Sequence, residues 1–461
     1  MGTPITHAVE TNFRTWGMGR ARRSRASGSN RPVIPIAVAC LVVACPACSA
    51  SPSPRQPESG GTSSGATNPS FDAGSSSDAG TMPAITDAMS PTAYYGMYDG
   101  PVVDGSCPNL PEAGTWQNVS PPGSNYTKTY TGIDSVVVRP DNPAVVFAGA
   151  ELNGIFKSTD CGANWTLVST GANAASMASG RPWSFRIDPV TPDRMYAVNG
   201  YGALGLWMTD NGGVDWQQIL TPNIELAFSF VNSVTLDPTD HTHLVIMAHG
   251  GQDSDAGACG TDTCIAESTD EGMTWKFLTI PVPWGEGSGI IILNRTTWLH
   301  NAYHAYWYTV DEGVTWQSVA LANASLDFNG SQDYFAFGPA GQYVLPANLS
   351  SGSGGIFQSY PDAGPTSWSP IPNSPQGSIM MATTNNIVVG GGTSASTATW
   401  WIAPQSNLTN WSALSGPNTA SVPGVASTSL GGAAVYADYD GTHHVLYEAT
   451  NCTGLWQTVI P

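Results

Sequence analysis

The chain has 461 residues, of which 41% are hydrophobic and 11% charged, with 34 acidic side chains against 15 basic ones and a formal net charge of −19. No Lys or Arg follows Arg295, so the last 166 residues carry no fixed positive charge, and neutralising the phosphates of nucleic acid or the headgroups of anionic lipid is excluded. A chain of this length could hold about two or three domains, yet its two ends differ sharply in composition.

An export signal comes first, over residues 1–45. Arg20, Arg22, Arg23, Arg25 and Arg31 precede an apolar run of twelve residues, Val33 to Ala44, too short to span a bilayer comfortably. A start at Met18 would give this signal an ordinary length. Small residues and cysteines follow, Val42-Val43-Ala44-Cys45-Pro46-Ala47-Cys48-Ser49, and this stretch resembles a bacterial lipobox. Cys45 is the first candidate for lipidation and Cys48 the second; a plain cleaved secretory signal is the alternative. An acyl chain would anchor the protein through burial of its methylenes, each worth about 0.8 kcal/mol. Residues 46–93 are rich in Ser, Gly, Pro, Ala and Asp and read as a disordered tether. Beyond Cys45 there remain 9 basic and 33 acidic residues, because Arg14 and the five arginines named above lie before it together with Glu10, so the mature chain stands near −24.

From residue 94 onward one short pattern recurs: hydroxyl residue, gap, Asp or Asn, gap, Gly, two residues, Trp. The copies are Ser158 to Trp165 with Asp160, Thr209 to Trp216 with Asn211, Ser268 to Trp275 with Asp270, and Thr309 to Trp316 with Asp311; Thr450 to Trp456 is a worn copy. The side chain of Asp or Asn can bond amides of its own turn, Gly supplies a positive φ, and Trp anchors the next strand in the core. The tryptophans at 165, 216, 275, 316, 368, 411 and 456 are 51, 59, 41, 52, 43 and 45 residues apart, the period of a propeller blade.

A second repeat, around Val136 to Pro143, Phe185 to Pro192 and Val234 to Asp240, reads as a strand entering an Asp/Pro turn before another strand. The expectation is an all-β fold, a single seven-bladed propeller over residues 94–461, monomeric. Thr115 to Val119 reads as an outer strand with no blade before it, and pairing it with the last blade would remove the open sheet edge.

The Trp turns resemble the Asp-box, or BNR, repeats of sialidases, xyloglucanase-type glycoside hydrolases and sortilin-type receptors. That resemblance implies a propeller and leaves open whether the chain binds or catalyses. It also implies that the Trp turns sit at the outer rim, away from the ligand face. That face would be built by the loops from the second to the third strand and from the outer strand to the next inner one. They carry Glu151, Trp183, Tyr201, His249, Asp253, Asp255, Trp284, Glu286, His300, His304, Asp333, Tyr334, Asp438, Asp440 and His443. Aromatic rings beside acids and amides suit the flat faces and hydroxyls of sugars, and Trp183, Tyr201, Trp284, His304 and Asp333 are the expected ligand contacts.

Sialidases hold a sugar carboxylate with three arginines from separated blades. Here the folded part offers only Arg139, Arg181, Arg186, Arg194 and Arg295, two of them in Pro-rich turns of the opposite face. Thr131 to Trp165 is similar to the opening of xyloglucanase-type enzymes, whose catalytic Asp falls where this chain has Glu151. Those enzymes add a second propeller, and this chain has room for one. If it is a glycosidase, Glu151 and Glu286 are the candidate catalytic pair, subject to a separation of roughly 5 to 9.5 Å. The chain is also similar to single-propeller proteins of photosystem assembly, which bind protein partners. Glycan binding is the leading expectation, hydrolysis the second and a protein scaffold the third.

Five cysteines lie in residues 94–461, and export favours disulfides. Cys259 and Cys264 flank a four-residue loop and are expected to pair; Cys107 with Cys452 would staple the first strand to the last. Asp253-Ser254-Asp255-Ala256-Gly257 opens like a calcium loop but lacks the later carboxylate. No metal site or cofactor is expected.

Overall fold

The structure is a computed structural model that describes residue 103 and residues 107–124, 132–202, 205–220, 231–249, 262–283, 289–302, 305–319, 336–337, 342–347, 355–360, 368–375, 379–382, 386–390, 399–418, 434–438, 444–450 and 453–460. The signal, the tether, Cys45, Trp284, Glu286, His304, Asp333 and the Asp253–Gly257 stretch lie outside them. Among the described residues no helix is long and apolar enough to cross a membrane.

Seven four-stranded antiparallel sheets form a seven-bladed β-propeller. After β1 (Gln117–Asn118), the first blade is β2 (Ile133–Val138), β3 (Val146–Ala150), β4 (Gly154–Ser158) and β5 (Thr166–Leu167). The second is β6 (Arg181–Ile187), β7 (Met195–Gly200), β8 (Gly205–Thr209) and β9 (Gln217–Gln218), and the third is β10 (Val231–Asp237), β11 (Asp240–Ala248), β12 (Asp262–Ser268) and β13 (Lys276–Pro283). The fourth comprises β14 (Gly289–Ile292), β15 (Trp298–Ala302), β16 (Ala305–Thr309) and β17 (Gln317–Val319). The fifth has β18 (Ala336–Phe337), β19 (Tyr343–Ala347), β20 (Gly355–Ser359) and β21 (Ser369–Pro370), and the sixth β22 (Ile379–Ala382), β23 (Asn386–Gly390), β24 (Thr399–Pro404) and β25 (Ser412–Ser415). The seventh joins β26 (Ala434–Asp438), β27 (His444–Thr450) and β28 (Gly454–Ile460) to β1, in register Gln117↔Gln457 and Asn118↔Trp456. The expected pairing of the N-terminal strand with the last blade is therefore present, and it covers the edge of β28.

The repeated turns link third strands to fourth strands. In the Asp160 turn, Ser158 Oγ donates to Asp160 Oδ1 at 2.8 Å, and the Gly162 and Asn164 amides donate to Ser158 Oγ and Asp160 Oδ1, each at 2.8 Å. The Asp270 and Asp311 turns repeat these bonds, and Asn211 reproduces them with its amide oxygen, accepting the Asp215 amide at 2.9 Å. Two consecutive residues hold positive φ in each turn, such as Glu312 at 56° and Gly313 at 77°. A Cβ on Gly313 would stand 2.7 Å from the Trp298 ring, so this position demands glycine twice over.

Each tryptophan after such a turn packs back onto the preceding blade. Trp216 sits with Phe147 and Phe185 between the first two blades, Trp275 with Tyr196 and Leu206 between the second and third, and Trp316 with Ile265 and Trp298 between the third and fourth. Trp165 donates to the Val119 carbonyl at 2.7 Å and Trp275 to that of Ile219 at 3.3 Å, in each case just past the outer strand of the blade before. The core is thus a ring of inter-blade seams rather than one central mass.

Two expectations are corrected. Thr450 and Gly454 pair across the turn from β27 to β28, a second-to-third-strand link at the opposite end of the blade from the Asp160 turn. The worn copy ending at Trp456 is therefore not a Trp turn of the repeating kind; its backbone counterpart in the first blade is the link from Ala150 to Gly154. The tryptophan that precedes the outer strand of the seventh blade is Trp116, which packs at a tilt against Trp400 with ring centroids 5.9 Å apart and donates to the Ser415 carbonyl of the sixth blade. The blade count is unaffected, because one tryptophan replaces the other. Second, Cys107 bonds Cys161, not Cys452, with the two Cα atoms 5.1 Å apart, tying the N-terminal segment to the first blade's Trp turn. Cys264 is also disulfide-bonded, and its expected partner Cys259 lies outside the described residues.

Candidate functional site

The second-to-third-strand loops and the starts of the first strands meet at one face, as expected, and over blades one to three they gather a single cluster. Glu151 sits in the tight link from β3 to β4, where its amide donates to Gly132 O at 3.0 Å and the next amide, of Leu152, donates to Gly180 O at 2.9 Å. These bonds hold the loop against the start of β6. There Arg181 reaches across the seam, its Nη2 2.9 Å from Asp134 Oδ1 on β2 and its Nε 3.6 Å from Glu151 Oε2.

Rings surround this guanidinium. Arg181 lies over Trp183 at 5.6 Å and over Tyr201 at 5.9 Å from the ring centroids. Trp183 meets Tyr201 edge-on at 5.4 Å and 87°, while His249 stacks on Trp183 at 5.7 Å and 20°. Trp183 is half-buried, but Tyr201 is 62% exposed and held at φ 54°, so its ring stands out of the surface. A flat ring beside a second ring at a right angle gives a floor and a wall, with carboxylates alongside that can accept hydroxyls.

The two carboxylates differ in environment. Asp134 is buried, and burial pushes its carboxyl above the ordinary aspartate range despite the pull of Arg181. Burial works against the charge of Arg181, yet Asp134 and then Glu151 outweigh it, leaving the guanidinium firmly protonated.

Of the expected site residues, the structure brings Glu151, Trp183 and Tyr201 together, with His249 beside them. Glu286, Trp284, His304, Asp333, Tyr334, Asp253, Asp255, Asp440 and His443 lie outside the described residues. Two other candidates are misplaced. Asp438 ends β26, a first strand, and so lies at the Trp-turn end of its blade rather than at the loop face. His300 is wholly buried in β15, its Nδ1 3.1 Å from Gly289 O, and burial pushes its pKa down to about 4, the mark of a neutral core histidine. Asp134 and the bridging role of Arg181 escaped the sequence reading; Asp134 lies in an apolar strand, Ile133–Val138, and that lone charge was the available signal.

The remaining arginines are committed elsewhere. Arg139 binds Asp141 and Asp193, Arg194 binds Asp210 and Glu271, and Arg295 binds Asp240 and Glu312, all at the Trp-turn end; Arg186 is buried and donates to Phe185 O. No arginine triad forms among the described residues.

No protein-family model matches the sequence, and no curated protein matches it. Solved structures do match in fold. An ancestral GH74 enzyme aligns over 74% of this chain and 46% of its own, at 15% identity and a TM-score of 0.50. The GH74 xyloglucanase from Xanthomonas campestris aligns over 74% of this chain and 53% of its own, at 15% identity and a TM-score of 0.49. YCF48 bound to a D1 peptide aligns over 78% of this chain and all of its own, at 13% identity and a TM-score of 0.47. The chain thus spans about half the length of the two GH74 enzymes, and at these identities the likeness is one of fold.

Proposed function

We propose that this propeller is a glycan-binding module, exported and held at the cell surface by an N-terminal lipid on Cys45. The observation that carries the reading is the Tyr201–Trp183–His249 cluster set beside Arg181, Glu151 and Asp134 on the loop face. Rings at right angles suit the face and edge of a sugar, and the acids suit its hydroxyls. Two carboxylates on one guanidinium leave an acidic surplus, which favours a neutral glycan over a uronate or sialate. The Cys107–Cys161 disulfide supports an oxidising compartment. The repeated Trp turns are read as Asp-boxes, which form the frame and take no part in binding.

Hydrolysis is the second reading, and the proximity of Asp134 and Glu151 to one guanidinium is what favours it. Against it, Asp134 is buried under the loop rather than presented to a substrate. The deciding experiment applies a polysaccharide panel to the protein without its leader and scores retention and new reducing ends together. The binding reading expects retention that Tyr201→Ala or Trp183→Ala weakens at least about tenfold, as the loss of one aromatic contact would, with no reducing ends. Reducing ends abolished by Glu151→Gln would make the protein a hydrolase. Retention of no glycan would overturn both readings and leave a protein-binding scaffold.

A further inference from the structure

At the opposite end of the molecule, on the seam between the second and third blades, three side chains from separate elements converge. Asp188 follows β6, His241 lies in β11, and Glu271 stands in the turn between β12 and β13. One donor atom of each lies within 4.8 Å of the others: His241 Nδ1 is 3.2 Å from Asp188 Oδ2 and 3.9 Å from Glu271 Oε1. Two ligands about 2.1 Å from a tetrahedral ion stand about 3.4 Å apart, so the two measured spacings bracket that value. Swinging the partly exposed Glu271 side chain inward would close the third spacing.

We propose that Asp188, His241 and Glu271 bind a zinc-type divalent cation that clamps the second blade to the third. Each carboxylate is already oriented through its other oxygen, as the ligands of a metal are. Asp188 Oδ1 accepts the amides of Val190 at 2.8 Å and Thr191 at 3.0 Å, which turns Oδ2 to the site; Arg194 holds Glu271 Oε2 and leaves Oε1 to it. The Glu271 backbone is fixed as well, its amide donating to Thr242 O at 3.0 Å and its carbonyl accepting Tyr196 Oη at 3.2 Å.

Charge argues the same way. Arg194 meets Asp210 and Glu271 while Asp188 meets His241, so three carboxylates are gathered here with one guanidinium among them. The next seam shows the frame filled from within: Arg295 stands 3.4 Å from Asp240 of the third blade and 3.4 Å from Glu312 of the fourth. This seam has a guanidinium too, that of Arg194, but it is taken up by Asp210 and by Glu271 Oε2, and what Asp188 meets is an imidazole, the commonest metal-ligating side chain. Asp188 is buried while His241 and Glu271 are 24% and 27% exposed at their side chains, so an ion can enter from solvent and keep a water as fourth ligand.

The test is calorimetric titration of the EDTA-stripped whole chain with zinc chloride, run beside His241→Ala and Glu271→Gln, with the thermal midpoint followed in parallel. One zinc per chain is expected, weakened at least tenfold in both variants, with a zinc-dependent rise in midpoint that the variants lose. Circular dichroism identifies any variant that fails to fold, and the other variant then carries the comparison. Absence of saturable binding, or equal affinity in the native chain and the folded variants, overturns the proposal.

Discussion

At the scale of the residue, the Trp turns show how three short side chains define a geometry. Asp311 accepts three bonds, from Thr309 Oγ1 at 2.7 Å, the Thr315 amide at 2.8 Å and Thr315 Oγ1 at 2.7 Å. The Thr315 hydroxyl and amide hold its carboxyl below the ordinary aspartate range. Asp311→Ala is expected to cost about 1–2 kcal/mol, and Asp311→Asn less, because Asn211 performs the same bonding in the second blade; urea denaturation measures both. Gly313→Ala should cost more than about 2 kcal/mol by the same assay, since it adds a positive-φ penalty to a collision with Trp298. These four copies were legible in the sequence because all the partners lie within eight residues. Asp134 was not, because its partner Arg181 is 47 positions away.

At the scale of the element, the ring is closed by one short strand and one disulfide. β1 contributes only two residues to the last sheet, but Trp116 before it fills the seam with Trp400, and Val119 after it packs against Tyr447 and Leu455. The disulfide from Cys107 to Cys161 spans 54 positions. Opening a loop of that length by Cys107→Ser should cost about 4 kcal/mol by the chain-entropy argument, read as a fall in urea midpoint relative to the native protein without reductant. The sequence showed β1 as an unpartnered outer strand, yet the worn turn at Trp456 drew the seventh tryptophan to the wrong end of the blade. Spacing alone does not say which two strands a turn connects; β27 and β28 had to be seen pairing.

At the scale of the whole molecule, the seams decide stability and its dependence on pH. Glu448 of the seventh blade is buried against the sixth, accepting a bond from Trp400 Nε1 at 2.8 Å, and burial pushes its pKa up to about 7 from an ordinary 4.5. The folded chain therefore holds a proton that the unfolded chain releases between these values. The contribution of this one group to stability is fully present below about pH 4.5, falls as pH rises towards 7, and is lower by something on the order of 3 kcal/mol above it. Glu448→Gln keeps an acceptor for Trp400 without the charge; its thermal midpoint should exceed that of the native chain at pH 8 and match it at pH 4.

The sequence by itself determined the class of fold, the number of blades, the strand that closes the ring and four members of the loop-face cluster. These rest on local signals, a period and a turn chemistry repeated within a few residues of each other. Only the tertiary structure decided which tryptophan serves the seventh blade, which cysteine Cys107 meets, that Asp134 and Arg181 complete the cluster, and that Asp188, His241 and Glu271 converge. Each of those pairings crosses a seam between blades or closes the ring. In a propeller the distance across a seam is set by packed sheets, and residues some 47 to 340 positions apart become neighbours without leaving a mark on the spacing of either.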